Sequence, residues 1–449
     1  MRILSVTAGA AGMYCGSCFR DNALARELMA QRHAVTLVPV YTPTRTDEAN
    51  VSHDQVLFGG INVYLQQHSW LFRRAPRFLD RLLDSPRVIN AFAGRAVSTD
   101  ARLLGELTLS MLRGENGALR KEFDKLVDWT RDQPPPDVIN LPNSLLIAMG
   151  RPLKRAFKRP VFVTLQGEEL FLDGLTPEYR GRAIDLIKAQ VADVDGFIAV
   201  SDFCAEFMSR YLGIPRQRID VVPLGIDMSG YEPPATVRRG PFRVGYFARV
   251  APEKGLLQLA QAYVRMRQRI GNGDVRFEAA GYLGAAHVSY LDQVRRVMAD
   301  AGLSDEFHYA GELDRAGKLA FLRSLDVLSV PATYDEPKGM FLLEAMAGGV
   351  PVVQPRRGAF IEVVEKTGGG LLVKPDDPDA LAEALAMLWA DRGMAVRLGQ
   401  QAFAGVRAHY TIQQSAARLL DVYQAVVEPG TAGRHGEMHT QRPRGTEKT

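Results

Sequence analysis

Short apolar runs rich in β-branched residues alternate with longer helical patterns along nearly the whole chain, and the alternation occurs in two series. Most runs are apolar on both faces, as expected of parallel strands that helices cover on each side. A Pro- and Gly-rich connector near residue 230 separates the two series. The pattern predicts an α/β fold of two doubly wound, Rossmann-like domains that face each other across a cleft. The predicted strands are 3–7, 35–40, 61–65, 138–141, 161–165, 197–200, 219–222, 242–247, 275–280, 307–310, 327–330, 350–353 and 371–373.

The predicted domain boundaries follow from the connector and from breaks in the alternation. Residues 1–230 form the first domain, with a helical insertion at 70–130 that contains no convincing strand. Residues 231–410 form the second domain, a helix follows at 411–427, and the polar tail at 428–449 is expected to be disordered. Because ligands of doubly wound sheets bind outside the carboxyl ends of the strands, we expect the functional site in the cleft between the domains.

The composition excludes several classes of protein. Hydrophobic residues make up 46% and charged residues 24% of the 449 residues, as in ordinary globular proteins. A net charge of +4 gives no reason to expect nucleic acid as a partner. Three cysteines cannot build a disulfide framework, and no run approaches the ~18 apolar residues of a membrane span. We expect a cytoplasmic protein that contacts a membrane at most peripherally.

The strongest local motif lies between a predicted strand and a predicted helix of the second domain. Its sequence, at 334–351, is Tyr-Asp-Glu-Pro-Lys-Gly-Met-Phe-Leu-Leu-Glu-Ala-Met-Ala-Gly-Gly-Val-Pro. The helix is predicted to begin near Met340, where free backbone N–H groups and the preceding Gly339 form an anion site. Glu344 is five residues beyond Gly339, which places it about 7.5 Å along the helix at ~1.5 Å per residue. That distance suits a contact with the ribose hydroxyls of a nucleotide. Glu336, ahead of the turn, could bind hydroxyls of an attached sugar.

Two cationic residues follow the first strand of the second domain. Arg249 and Lys254 flank the turn into the next helix. Cations at the carboxyl end of a strand can neutralise a diphosphate and stabilise it as a leaving group. Taken singly, such residues are usually solvated surface groups. Because they share one end of the predicted sheet with the Glu336 loop, we predict a common anion site.

These stretches together resemble the retaining glycosyltransferases of the GT-B fold, in the large family 4 group that includes relatives of sucrose and glycogen synthases. The resemblance implies a nucleotide-sugar donor in the C-terminal domain and a hydroxyl acceptor (saccharide, glycolipid or small molecule) in the N-terminal domain. It also implies transfer without a bound metal or other cofactor. The matching stretches are 9–16, 200–201, 219–227, 247–255, 336–344 and 350–353, with Gly358 and Glu362.

The resemblance also implies three groups of site residues. Those assigned to the chemistry are Arg249, Lys254, Glu336, Gln166 and Glu168. Those assigned to donor binding are Gly12, Gly339, Met340, Phe341 and Glu344. Those placed on the acceptor side are Gly16 and Ser201.

The N-terminal domain departs from the family pattern after the strand predicted at 161–165. Gln166 stands where many relatives have a His that contacts the donor sugar, and Gly167, Glu168 and Glu169 follow it. Gln can donate and accept hydrogen bonds but cannot titrate. A Gln is suitable if this position binds a hydroxyl, whereas Glu168 or Glu169 must take over if it exchanges a proton. By analogy, we expect the departing phosphate to take the proton of the acceptor.

Two further segments leave alternatives open. The first loop ends in a C-x-x-C pair, Cys15 and Cys18, which is a pair of buried thiols, a redox pair or part of a metal site. The first helix is predicted to follow at 21–31, with Asp21 or Asn22 as its N-cap. In the insertion, basic and apolar residues interleave at 70–83, as in a wall of the acceptor cleft or a contact with an anionic membrane surface.

Other functions fit the same architecture. A GT-B-fold epimerase would need acid and base groups at the donor sugar, and a phosphorylase would need pyridoxal phosphate on a lysine. The pair Glu336 and Glu344 argues against both. A regulatory protein could retain the donor site and lack turnover because of Gln166, and it would bind a nucleotide without releasing it from any sugar donor.

Overall fold

The computed structural model describes residues 1–9, 16–59, 63, 104–232 and 239–427, and their strands form two parallel sheets. The strands are β1 (Arg2–Ala8), β2 (Ala34–Val40), β3 (Val138–Leu141), β4 (Val161–Leu165), β5 (Gly196–Ala199), β6 (Ile219–Val221), β7 (Phe242–Phe247), β8 (Val275–Ala280), β9 (Phe307–Tyr309), β10 (Val327–Leu328), β11 (Val352–Pro355) and β12 (Gly370–Val373). The first sheet has the order β2-β1-β3-β4-β5-β6, and the second has the order β12-β11-β10-β7-β8-β9.

Helices connect the strands and cover the sheets. They are α1 (Gly16–Ala30), α2 (Gly105–Leu112), α3 (Arg120–Arg131), α4 (Gly150–Phe157), α5 (Glu169–Gly174), α6 (Pro177–Gln190), α7 (Asp202–Leu212), α8 (Leu256–Ile270), α9 (Val288–Asp300), α10 (Arg315–Ser324), α11 (Met340–Ala347), α12 (Phe360–Thr367), α13 (Pro378–Ala390), α14 (Arg392–His409) and α15 (Ile412–Val427). Strands β3, β4 and β5 are buried at every position, which explains why nearly all of their residues are apolar.

The predicted fold class is confirmed, and so is the position of the strands that the structure describes. Strands β3, β4, β7 and β8 have the predicted bounds, and the others differ by at most two residues at either end. In the insertion, α2 and α3 are helical as expected, with a 3-10 turn at Gly114–Asn116 between them. The strand predicted at 61–65 lies outside the described residues except for Val63, as does the tail from 428 onward.

The predicted start of the first helix is wrong. Helix α1 begins at Gly16, so Asp21 and Asn22 lie inside it and are buried. Thr7 Oγ1 donates to Asp21 Oδ2 over 2.9 Å, and Asn22 bonds the backbone of Ala49 and Val51 over 3.0 Å each. The two side chains resemble caps in the sequence, but they connect α1 to a strand and a loop.

Each sheet has a point where the winding direction reverses. In the second sheet β7 and β10 are neighbours, and the chain leaves them in opposite directions. The loops that follow their carboxyl ends therefore leave a crevice between them. These are the loops that carry Arg249 and Glu336, so the fold places both motifs at one edge of the sheet.

The last helix, α15, returns to the first domain. Tyr423 packs on Phe162 of β4 with ring centroids 5.3 Å apart. At its start, Ile412 N donates to Ile226 O over 3.0 Å, and a Cβ at Gly225 would lie only 2.6 Å from the Cα of Ile412. Glycine is therefore required where the connector crosses the start of α15.

Candidate active site

The motif at 334–351 forms the predicted loop and helix after strand β10. Strand β10 leads into a loop that ends at Gly339, whose φ of +73° lies in the left-handed region that favours glycine. Helix α11 begins at the next residue, Met340, and no side chain of the described residues caps its first turn. Its first backbone N–H groups are therefore suited to an anion, as the sequence predicted.

Lys254, Tyr334 and Glu336 form a charged cluster beside the start of α11. Lys254 Nζ pairs with Glu336 Oε2 and donates to Tyr334 Oη over 2.8 Å, while Tyr334 Oη donates to Glu336 Oε2 over 2.5 Å. The side chains of Lys254 and Glu336 are 14% and 5% exposed. Burial alone would raise the pKa of Glu336, but the ammonium of Lys254 and both hydrogen bonds hold it below its usual value. Glu336 is therefore a buried carboxylate.

The backbone of Glu336 is fixed by the segment before α12. Ala359 N donates to Glu336 O over 2.8 Å. Gly358 has a φ of +54°, and a Cβ there would lie 2.5 Å from Glu336 O and 2.6 Å from Glu336 N. Any side chain at 358 would push the Glu336 loop away.

We expect Gly358→Ala to cost about 3–4 kcal/mol of unfolding free energy, because a left-handed φ and a backbone clash act together. The matched control is Gly302→Ala: Gly302 has a φ of +71°, and a Cβ there would meet none of the described atoms within 4 Å. In that variant the left-handed φ alone should lower the unfolding free energy by about 1–2 kcal/mol. Urea unfolding of both variants measures the difference, and equal losses would contradict the clash.

Arg249 lies on the loop after β7 and is more exposed than Lys254. Its guanidinium pairs with Glu253, and its side chain is 37% exposed. In this structure Arg249 and Lys254 are thus each bound to a carboxylate of their own domain. That the two cations bind one diphosphate stays a prediction, and a diphosphate would have to compete with Glu253 and Glu336.

Glu344 takes part in a chain of charges that joins the two domains. Lys318 Nζ donates to Glu344 Oε1 over 2.7 Å and pairs with Asp47 Oδ2 of the first domain at 2.5 Å. Burial raises the pKa of Glu344, and the ammonium of Lys318 opposes this. For Lys318, burial would lower the pKa, but Glu344, Tyr231 and Asp47 outweigh it and raise it well above its usual value.

Two more ion pairs join the domains, and both use the loop of the first domain that carries Asp47. Arg45 lies 2.5 Å from Glu312, and Arg315 of α10 lies 2.9 Å from Glu48. No sequence motif pointed to this loop or to Lys318, because the partners are far apart in the chain. The predicted contact of Glu344 with a ribose stays a prediction.

The loop after β4 lies against the loop before α11. A Cβ at Gly167, whose φ is +102°, would lie 3.0 Å from Pro337 Cγ and 3.5 Å from Lys338 Cε. Ser201 Oγ donates to Pro337 O over 2.8 Å, and Lys338 Nζ donates to Ser17 Oγ over 2.6 Å. The loops at the carboxyl ends of the two sheets are therefore in direct contact, so residues 166–169 belong to the same site as Glu336.

Glu168 has a structural explanation for its burial. Ser144 N donates to its Oε1 over 2.9 Å, and Gln166 N donates to its Oε2 over 2.8 Å. Gln166 Nε2 donates in turn to Pro142 O over 2.8 Å. Glu168 thus fixes the loop by accepting from two backbone N–H groups, and these contacts do not depend on the catalytic role predicted for it.

Glu169 differs from its neighbour. It begins α5 and is 6% exposed, and its Oε2 has no hydrogen-bond partner among the residues that the structure describes. Burial raises its pKa to about 8, and the nearby carboxylate of Glu168 contributes. The sequence named Glu169 only as one of two residues, with Glu168, that could take over a proton exchange from position 166. The structure shows that it is the carboxyl group of this loop with an unpaired buried oxygen.

The remaining predicted residues are placed as follows. Ser201 caps α7 by accepting from Cys204 N over 2.9 Å, so its hydroxyl both accepts and donates within the protein. Gly16 is the first residue of α1, and a Cβ there would touch none of the described atoms within 4 Å. Gly12 and Cys15 lie outside the described residues, whereas Cys18 is buried and its Sγ donates to Ala8 O over 2.6 Å.

Neither a group of metal ligands nor a membrane-spanning helix is found among the residues that the structure describes. There, no three His, Cys, Asp or Glu residues are grouped as metal ligands would be. No helix in the same ranges combines the length and the apolar character of a membrane span. The candidate membrane-contact segment at 70–83 lies outside them.

Solved structures with the same fold cover nearly the whole chain. Sucrose-phosphate synthase from Thermosynechococcus elongatus is 19% identical, with a TM-score of 0.68 over 94% of this chain and 98% of that one. The Anabaena protein HepE, solved in complex with UDP and glucose, is 18% identical, with a TM-score of 0.65 over 95% of this chain and 100% of that one. These likenesses establish the GT-B fold.

Sequence comparison agrees with the fold. Residues 22–225 match the family described as glycosyl transferase 4-like domain, and residues 233–404 match the family described as glycosyl transferases group 1. The lipopolysaccharide core biosynthesis mannosyltransferase LpcC of Rhizobium leguminosarum bv. viciae is 29% identical over 52% of this chain and 65% of its own length. The chain spans about three fifths of the curated relatives that it matches. It belongs to the group 1, family-4-type glycosyltransferases.

Proposed function

We propose that this protein transfers a sugar from a nucleotide-diphosphate-sugar to a hydroxyl acceptor, with retention of configuration and without a metal ion. The observation that carries the proposal is the cluster of Lys254, Tyr334 and Glu336 at the uncapped start of α11. Cations, free N–H groups and a sugar-binding carboxylate are the groups that such a donor needs. The UDP and glucose bound to the Anabaena neighbour support a nucleotide-sugar as the donor.

The proposed reaction needs a stabilised leaving group. The bond between the anomeric carbon and the diphosphate oxygen breaks, and the acceptor oxygen forms a new bond to the same face of that carbon. The acceptor proton passes to the departing phosphate. Lys254, Arg249 and the first N–H groups of α11 would stabilise the negative charge that develops on the diphosphate, which is the task that a metal ion performs in other transferases. Retention and independence from metal follow from the family resemblance.

A second candidate is a nucleotide-sugar-binding protein without turnover. The observation that favours it is Gln166, which is held by Pro142 and cannot exchange a proton. Both candidates require a nucleotide site, and they differ in whether the nucleotide is released from its sugar.

Calorimetric titration with UDP, GDP and ADP tests the donor site. We expect one nucleotide to bind, and Arg249→Ala to weaken it about tenfold or more, because a charge-assisted contact to phosphate contributes about 1.5–3 kcal/mol. The matched control is Arg182→Ala. Arg182 also pairs with a Glu four residues away, at 3.1 Å from Glu178, but on α6 of the first domain.

The outcomes separate the candidates. Equal affinities in Arg249→Ala and Arg182→Ala would remove Arg249 from the site. No binding of any of the three nucleotides to the wild type would contradict both candidates. Binding of a nucleotide, with no release of it from UDP-glucose, GDP-mannose or ADP-glucose in the presence of glycoside acceptors, would favour the binding protein.

A further inference from the structure

Four polar atoms at the carboxyl ends of β3 and β4 are buried and unpaired. They are Asn143 Oδ1, Ser144 Oγ, Gln166 Oε1 and Glu169 Oε2, and none has a hydrogen-bond partner in the described part of the chain. Strands β3 and β4 are neighbours, so the loops that carry these atoms emerge side by side. Buried polar atoms in native proteins nearly always pair with protein, water or a ligand. Four exceptions in one place indicate a site for a polar ligand.

Contacts with the second domain show which loop lies opposite these atoms. Gly167, between Gln166 and Glu169, is in contact distance of Pro337 and Lys338. The charges of Lys338 and Glu336 act on the carboxyl group of Glu169. The unpaired atoms therefore lie across from the loop whose Glu336 is assigned to the donor sugar. The diphosphate site at the start of α11 and these atoms are on different domains.

We propose that Glu169, as a neutral carboxyl group, donates a hydrogen bond to a hydroxyl of the transferred sugar, and that the same hydroxyl donates to Gln166 Oε1. The proposal rests on the proposed function. One hydroxyl both accepts and donates, so it satisfies two of the unpaired oxygens at once. Glu169 is then a sugar-binding residue, and Gln166 needs no proton of its own.

The surroundings of Glu169 keep it protonated near neutral pH. The groups that act on it are Glu168 on its own loop, Cys204 on α7, and Tyr334, Glu336 and Lys338 on the facing loop. Burial raises the pKa of Glu169 to about 8, Glu168 and Glu336 add to the rise, and Lys338 opposes it. Above that pH the group becomes a carboxylate, which accepts hydrogen bonds but cannot donate. Binding of the sugar should therefore weaken as the pH rises through 8.

The test compares a nucleotide with its sugar conjugate by calorimetry, using UDP, GDP and ADP with UDP-glucose, GDP-mannose and ADP-glucose. For whichever pair the wild type binds, Glu169→Ala should leave the Kd of the nucleotide within about twofold and raise the Kd of the sugar conjugate about tenfold. Glu169→Gln keeps the shape and a donor, so at pH 7 it should bind both like the wild type. Between pH 7 and 9 the wild type should lose affinity for the conjugate, and Glu169→Gln should not.

The possible results distinguish a wrong assignment of Glu169 from a wrong donor site. If Glu169→Ala weakens nucleotide and conjugate equally, or neither, the assignment of Glu169 is wrong while the donor site stands. The assignment is also wrong if Glu169→Gln retains the pH dependence of the wild type. If the wild type binds a nucleotide but gains nothing from the sugar at pH 7, Glu169 has no sugar to bind. If the wild type binds no nucleotide, the proposed function fails and the inference fails with it.

Discussion

Replacing Lys254 with methionine is expected to lower the rate of sugar transfer about 100- to 1,000-fold, the usual loss when one preorganised group that stabilises developing charge is removed. Methionine keeps an apolar stem of similar length and removes the ammonium, whose nitrogen lies 5.1 Å and 5.4 Å from the ring centroids of Tyr334 and Phe341. The same change leaves Glu336 buried without its cation. We therefore also expect a loss of about 3–5 kcal/mol of unfolding free energy.

A second variant separates the two effects of Lys254. In Lys254→Met/Glu336→Gln a neutral amide replaces the buried carboxylate. Unfolding in urea should therefore show that much of the lost stability is restored. Release of nucleotide from the sugar donor should stay low, because the cation is still missing and the carboxylate assigned to the donor sugar has been replaced as well. Wild-type turnover in a fully folded Lys254→Met protein would remove Lys254 from the chemistry. The exposed Arg249–Glu253 pair should contribute no more than about 1 kcal/mol to stability, so Arg249→Ala reports on binding alone.

The parts of the structure that the sequence could predict depend on local patterns. Strands β3 and β4 are buried at every position and almost entirely apolar, so they are visible as apolar runs with sharp ends. In β7 and β8 the buried positions are apolar, and polar residues such as Arg243 and Arg276 occupy less buried ones. The start of α11 was also predictable, because Gly339 accepts a left-handed φ and an apolar helical pattern follows it. Because the carboxyl ends of parallel strands meet at one edge of a sheet, the sequence also predicted that the Arg249 and Glu336 loops lie at the same edge.

What the sequence could not predict depends on contacts between distant segments. Glu168 and Glu169 are adjacent and chemically identical, yet one accepts from two backbone N–H groups and the other keeps an unpaired oxygen. The helix boundary falls between them, because Glu168 is at the N-cap position of α5 and Glu169 is its first residue. Asp21 was predicted to cap α1 for a related reason: its hydrogen-bond partner in the structure, Thr7 of β1, is not its neighbour in the sequence.

Lys318 is the clearest case of a residue that only the assembled fold explains, and its removal should destabilise the protein strongly. Its side chain is 5% exposed, and its ammonium lies between Asp47 of the first domain and Glu344 of the second. Lys318→Met would leave two buried carboxylates facing each other without a cation. We expect a loss of about 3–5 kcal/mol of unfolding free energy at pH 7, measured in urea.

The pH dependence and two control variants test whether charge causes this loss. Because the folded state raises the pKa of Lys318, its stabilisation is fully present below the usual lysine value of 10.5 and is lost only as the pH rises beyond it. In Lys318→Met the loss of stability should shrink on acidification, since burial raises the pKa of Glu344 and its protonation removes one of the two charges. Asp47→Asn and Glu344→Gln added to Lys318→Met should restore stability at pH 7, whereas Lys374→Met, at an exposed pair with Asp377, should change it by less than about 1 kcal/mol. If the triple variant stays as unstable as Lys318→Met, packing of the lysine stem rather than its charge holds the two domains together at this point.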